Sequence, residues 1–299
     1  MNPDDNNPLP PAPFRPSEQV EPLGSATTDA SATLAPYDSP PAPPEFPPDL
    51  QVPWGWSDVL ILAIVYFLGG IVLAMFLAKG FGIAGVSPSQ LHKSVSEQSF
   101  FAIVVEVLFD VALLTYLTLQ VRLHFGLPFW RTIGWRRLET GTTPRGLAYL
   151  GLLGGGFLFS LMIQLSSAAF APKTRLPIEN FFQDRRSAIL LMLMAVIVAP
   201  VIEETIFRGY LYPVAARSFG VTWGVIVTGT IFGLLHAAQL WGGWGQIGLL
   251  ILVGIVFTAV RASTRTVVAS YLLHVSYNSF IFLAFVVSSH GFRNFPVGR

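Results

Sequence analysis

The sequence predicts an all-α protein, a polytopic membrane helix bundle of about seven spans (six to eight) behind a disordered amino-terminal tail. Three observations predict it. Only 12% of the 299 residues are charged and 52% are hydrophobic, whereas a soluble domain carries about 25% charged residues. Too few polar side chains remain to coat a soluble particle of this size, and mean hydropathy is +0.57. Seven separate apolar runs approach the roughly 20 residues that a hydrocarbon core asks of a helix. There is no cysteine. Disulfides, thiol catalysis, Cys-ligated zinc and iron–sulfur clusters are therefore excluded.

The tail comes first, over residues 1–53. Fifteen of the 23 prolines fall there, and residues 1–50 hold eight acids against one base, Arg15, a net charge of −7. The remainder of the chain carries +8. An acidic, Pro-rich segment cannot bury enough apolar surface to offset the entropy of ordering it. Its PPAPPEFPP stretch favours polyproline II. No basic n-region precedes the first apolar run near Ser57, so that run is expected to stay as an uncleaved anchor.

The membrane domain is expected over residues 54–290. Its runs lie at 57–78, 99–121, 147–170, 187–207, 221–240, 246–260 and 267–288, the sixth being short. Each must be helical, because lipid offers a peptide group no hydrogen-bond partner. Trp54 and Trp56 stand where interfacial anchors are expected. Residues 122–146 hold Arg122, Arg131, Arg136, Arg137 and Arg145 with Trp130 and Trp135. That mixture suits an amphipathic segment at the headgroups, and equally an ordinary basic loop. Counting bases on alternate sides gives ten against eight, which leans toward a cytoplasmic amino terminus. No internal repeat points to an inverted-repeat transporter.

Ionisable groups inside these runs are costly and so point to function. The second run holds Glu106 and Asp110, four apart and on one helix face. The fourth ends in APVIEETIFRG, with Glu203, Glu204 and Arg208; the fifth holds IFGLLHA, with His236; the seventh begins YLLHVSYN, with His274 and Asn278. Glu204 and Arg208 are spaced to pair on one face. Glu203 is turned about 100° from Glu204, so one carboxylate can be neutralised while the other faces a cavity. His274 and Asn278 are one turn apart and can aim an imidazole and an amide at one point. Gly229 and Gly233 form a G-x-x-x-G that admits a close neighbouring helix. Pro200 should bend its helix and free a carbonyl. His236 would meet Glu203 only if the fourth helix continues past Arg208 toward Arg217, and the apolar periodicity of TIFRGYLYPVAARSFG favours that longer helix.

In their order and helical placement, Glu203-Glu204-x-x-x-Arg208, Phe232-x-x-x-His236 and His274-x-x-x-Asn278 resemble the CAAX protease and bacteriocin-processing (Abi) family. That family includes the type II CAAX prenyl endopeptidases. The resemblance spans roughly residues 147–288. It implies an intramembrane endopeptidase in which Glu203 and His236 activate a water and His274 and Asn278 hold the oxyanion. Glu204 and Arg208 would support the site as an ion pair. The choice of Glu203 rather than Glu204 as base comes from the resemblance alone. Members have been described both as metalloproteases and as glutamate-type enzymes. A metal-independent site is expected. The alternative is zinc held by Glu203, His236 and His274 with a fourth position for water, although no H-E-x-x-H helix is present.

Two other functions compete. A non-catalytic membrane scaffold or immunity-type protein of the same family has no need of such costly polar groups. A proton pathway through Glu106, Asp110 and Glu203 would need acids continuing on both sides of the midplane, and they concentrate in two helices. The expected location is the cell membrane, as a multi-pass protein. The expected partners are a peptide or protein substrate at the membrane and the bilayer itself, with no nucleic acid. Glu106 and Asp110 would either pair with an arginine such as Arg208 or line a substrate path.

Overall fold

A computed structural model of the protein describes residues 46–80, 88–170, 176–182 and 184–291. The tail residues 1–45, read above as disordered, lie outside the described residues. Eight helices carry the description: α1 (Trp56–Gly80), α2 (Pro88–Leu119), the short α3 (Phe129–Thr132), α4 (Arg145–Ala168), α5 (Arg185–Phe219), α6 (Val221–Leu235), α7 (Trp244–Thr264) and α8 (Val267–Ser288). The protein is an all-α membrane bundle. Among the described residues, six helices are long and apolar enough to cross a membrane, and α6 is a shorter apolar helix of 15 residues. The expected run at 221–240 is thus the short one. The run at 246–260 widens to a full span of 21 residues.

The helix ends follow local chemistry. Asp184 caps α5 by accepting from the backbone N–H groups of Arg186 and Ser187, which would otherwise lack partners in a first turn. Thr266 caps α8 through Val268 N–H at 3.2 Å. Gly220, at φ +81°, separates α5 from α6. This left-handed conformation costs a residue without Cβ little.

Close helix approach is built on small residues. A Cβ at Gly229 would lie 2.6 Å from Ile255 Cα, and one at Gly233 would lie 2.7 Å from Ile251 Cα. The G-x-x-x-G of α6 therefore seats on α7, where Gly254 faces back onto Gly229. Gly156 of α4 meets the Leu273 carbonyl of α8 in the same way. The buried cores lie on either side of α5. Leu113, Leu117, Phe129, Ile133 and Tyr210 pack α2 and α3 against it. Ile163, Val253, Phe257, Leu273 and Tyr277 join α4, α7 and α8.

The packed body begins before residue 54. Leu50, Val52 and Trp54 are buried, and Asp49 Oδ2 accepts from Arg261 Nη1 at 2.9 Å. Arg217 donates to the carbonyls of Val52 and Trp54 at 2.8 and 2.6 Å. These partners lie more than 160 residues away, so composition alone could not include the segment. Trp54 also departs from the interfacial role expected of it. It is 1% exposed, stacks on Tyr210 with ring centroids 4.7 Å apart, and donates Nε1–H to the Tyr210 carbonyl. A buried indole needs such an acceptor.

Candidate functional site

The site depends on the length of α5. The helix runs on to Phe219, so Glu203 sits near its middle. Chain reversal at Gly220 then sends α6 back alongside. Glu203 lies seventeen residues before that glycine and His236 sixteen after it. At about 1.5 Å per helical residue, both reach nearly the same depth. His236 stands at the carboxyl-terminal cap of α6.

α5 is not a uniform α-helix. Met194–Val198 and Glu204–Leu211 are π-helical, and Pro200 lies between them. In the first π turn, Ala199 N–H bonds to the Met194 carbonyl, five residues back. The next bond in that series would run from residue 200 to the Ala195 carbonyl. Proline has no N–H to give. Asn278 of α8 supplies the missing donor, with Nδ2 2.7 Å from Ala195 O. Proline, orphaned carbonyl and asparagine are thus one local arrangement, and it fixes α8 against α5. Such π insertions concentrate at functional sites.

The second π turn carries the charged residues. Glu204 and Arg208 are both fully buried. Glu204 Oε1 accepts from Arg208 Nη1 and from His274 Nδ1, each at 3.0 Å. Arg208 Nη2 donates to the Gly254 carbonyl at 3.0 Å, and the guanidinium lies 4.5 Å from the Phe232 ring centroid. Glu204 therefore holds the His274 ring in one orientation, with Nε2 pointing away from it toward Glu203. The ring is flanked by Phe257, centroids 4.8 Å apart.

Glu203 faces the other way, 23% exposed. Its Oε1 is 3.8 Å from His236 Nε2 and its Oε2 is 3.7 Å from His274 Nε2. These separations exceed a direct hydrogen bond and leave room for bridging by water. His236 Nδ1 is 2.8 Å from the Phe232 carbonyl. A carbonyl only accepts, so Nδ1 carries the hydrogen, and in the neutral ring Nε2 presents a lone pair toward Glu203.

Glu203, His236, His274 and Asn278 all line one cavity of about 970 Å³ between α1, α2, α4, α5, α6, α7 and α8. Its walls are mainly apolar, with Tyr66, Phe182 and Phe232 among them. Glu106 and Asp110 line it as well. Arg208 is occupied by Glu204 and Gly254, so the expected pairing of these acids with Arg208 is not found.

Residues 185–280 match the family model of the type II CAAX prenyl endopeptidase Rce1-like proteins. This is a protease family. The match bears out the resemblance read from the three motifs, since Glu203, Glu204, Arg208, His236, His274 and Asn278 all fall within it. No curated protein and no solved structure matches the chain. Helices α1, α2 and α4, and with them Glu106 and Asp110, lie outside the segment that matches the Rce1-like family.

The zinc alternative receives no support from the donor set: among the described residues, no group of three or more His, Asp or Glu side chains is arranged to hold a metal ion. Three partners in the site escaped the sequence reading. The Ala195 carbonyl has a signal, its place five residues before Pro200. The Gly254 carbonyl has a weaker one, a glycine facing the G-x-x-x-G. Phe257, beside His274, has none beyond its apolar helix.

Proposed function

We propose that the protein is an intramembrane endopeptidase of the cell membrane, hydrolysing a peptide bond in a membrane-associated, prenylated or otherwise lipidated substrate. The observation that carries this reading is a largely buried carboxylate set between two imidazole nitrogens, at 3.8 and 3.7 Å, on the wall of a largely apolar cavity. A water bridging Glu203 and His236 donates its hydrogens to the carboxylate and to the Nε2 lone pair. Its oxygen attacks the substrate carbonyl carbon as one proton passes to this pair. The carbon–nitrogen bond then breaks, and the same pair returns the proton to the leaving amine.

The oxyanion formed in between takes hydrogen bonds from Asn278 and His274. Asn278 Nδ2 has two hydrogens, and the bond to Ala195 uses one. His274 can donate from Nε2 only when doubly protonated. Glu203 and Glu204 set against Arg208 leave one negative charge for that imidazolium to balance. Donors preset in a water-poor cavity strengthen as charge develops on the oxygen, each worth roughly 3–4 kcal/mol. Glu204 and Arg208 act through His274 and are positioning residues.

The test uses the purified protein in detergent with lipidated and unlipidated peptides, with and without a strong chelator. Cleavage of lipidated peptides that persists in chelator is expected. Loss of cleavage in chelator, restored by zinc, would overturn the metal-independent step. Indifference to the lipid would overturn the substrate class.

A further inference from the structure

The segment between α2 and α4 does not take part in the chemistry proposed above, yet it is held rigidly and displays charge of one sign. Its inner side is pinned. Phe129 and Ile133 are 1% exposed. Trp135 Nε1–H donates to Thr205 Oγ1 at 3.0 Å, Gly134 O accepts from Val267 N–H at 3.0 Å, and Ile133 fills the space beside Gly209. Its outer side carries Arg122, Arg131, Arg136, Arg137 and Arg145, all exposed, against a single acid, Glu139. Arg136 is drawn over the α3 turn, with Nε 3.2 Å from the Arg131 carbonyl. Three apolar side chains stand exposed among them, Leu123 at 78%, Trp130 at 45% and Leu127 at 37%.

Position adds the decisive constraint. The membrane-spanning stretch that begins in α2 runs through a π-helical turn, Gln120–His124, and α4 begins at Arg145. The segment therefore joins two consecutive membrane-crossing helices and lies at the membrane boundary, where guanidinium groups meet lipid phosphates and exposed Trp and Leu side chains enter the headgroup region. Arginine offers paired donors that match a phosphate group. We propose that residues 122–145 form a preshaped binding surface for anionic phospholipid headgroups of the surrounding leaflet. The inference stands on burial, exposure and charge in this segment and does not rest on the protease reading.

The experiment places the full chain in nanodiscs of equal phosphatidylglycerol and phosphatidylcholine, then counts lipids retained on the protein by native mass spectrometry. The expected result is phosphatidylglycerol enrichment of about fivefold or more over the disc composition. Arg131→Gln/Arg136→Gln/Arg137→Gln should reduce enrichment to within about twofold of that composition, with the thermal midpoint unchanged because these side chains are exposed. Replacing the same three by lysine should retain most of the enrichment. Excess inorganic phosphate should not displace the lipid. The proposal is overturned if wild type shows no enrichment or if the glutamine variant keeps it. Displacement by free phosphate would also overturn it, as the mark of a small-anion site rather than a lipid surface.

Discussion

Glutamine at position 203 is expected to lower peptide cleavage by roughly 100- to 10,000-fold, the range that a positioned acid–base group contributes. The change preserves shape and volume. It removes the charge and the ability to take a proton from water. Glu203 approaches His236 and His274 only at 3.8 and 3.7 Å, so its loss breaks no short bond that holds the helices. The thermal midpoint of Glu203→Gln should therefore stay close to that of wild type while turnover collapses. The measurement is the cleavage rate beside a melting curve on one preparation. A folded Glu203→Gln protein that retains its rate would remove Glu203 from the chemistry.

Arg208→Ala should do the reverse, acting first on the fold. The guanidinium is fully buried, forks between Glu204 Oε1 and the Gly254 carbonyl, and covers the Phe232 ring. Truncation leaves the Glu204 carboxylate buried with only His274 as partner. Removing one member of a buried ion pair costs about 3–5 kcal/mol. Arg208→Lys should fall between, because one ammonium can meet Glu204 but cannot reproduce the planar fork to both acceptors. Denaturation in mixed micelles compares the three proteins. If Arg208→Ala lies within about 1 kcal/mol of wild type, the buried pair does not organise the bundle.

These two residues also show what the sequence makes legible. Glu203, Glu204 and Arg208 stand out because charge inside an apolar run is costly, and the one-turn spacing of Glu204 and Arg208 already encodes their pairing. Their order with His236, His274 and Asn278 carries the family resemblance. The extension of α5 follows from the apolar periodicity after Arg208, which brings Glu203 and His236 to one depth. Other features depend on distant partners and leave no local pattern. Trp54 resembles an interfacial tryptophan until Tyr210, 156 residues on, accepts its N–H. Asp49 looks like one more acid in a Pro-rich tail until Arg261 pairs with it. The bond from Asn278 to Ala195 depends on a π turn whose missing donor is Pro200, and residue spacing for regular α-helices does not anticipate that turn. Glu106 and Asp110 stood out by cost, but only the packing of α2 beside the cavity gives them a place on its wall.

The central claim is that Glu203 and His236 act together on one water. A kinetic cycle tests it most directly: wild type, Glu203→Gln, His236→Ala and the double variant, each folded and assayed on the same membrane-embedded peptide. Groups that work as a unit are non-additive. The account predicts that wild type cleaves, each single change removes most of the rate, and the double variant is little worse than the poorer single one. Cleavage that survives either substitution, or losses that simply multiply, would contradict it.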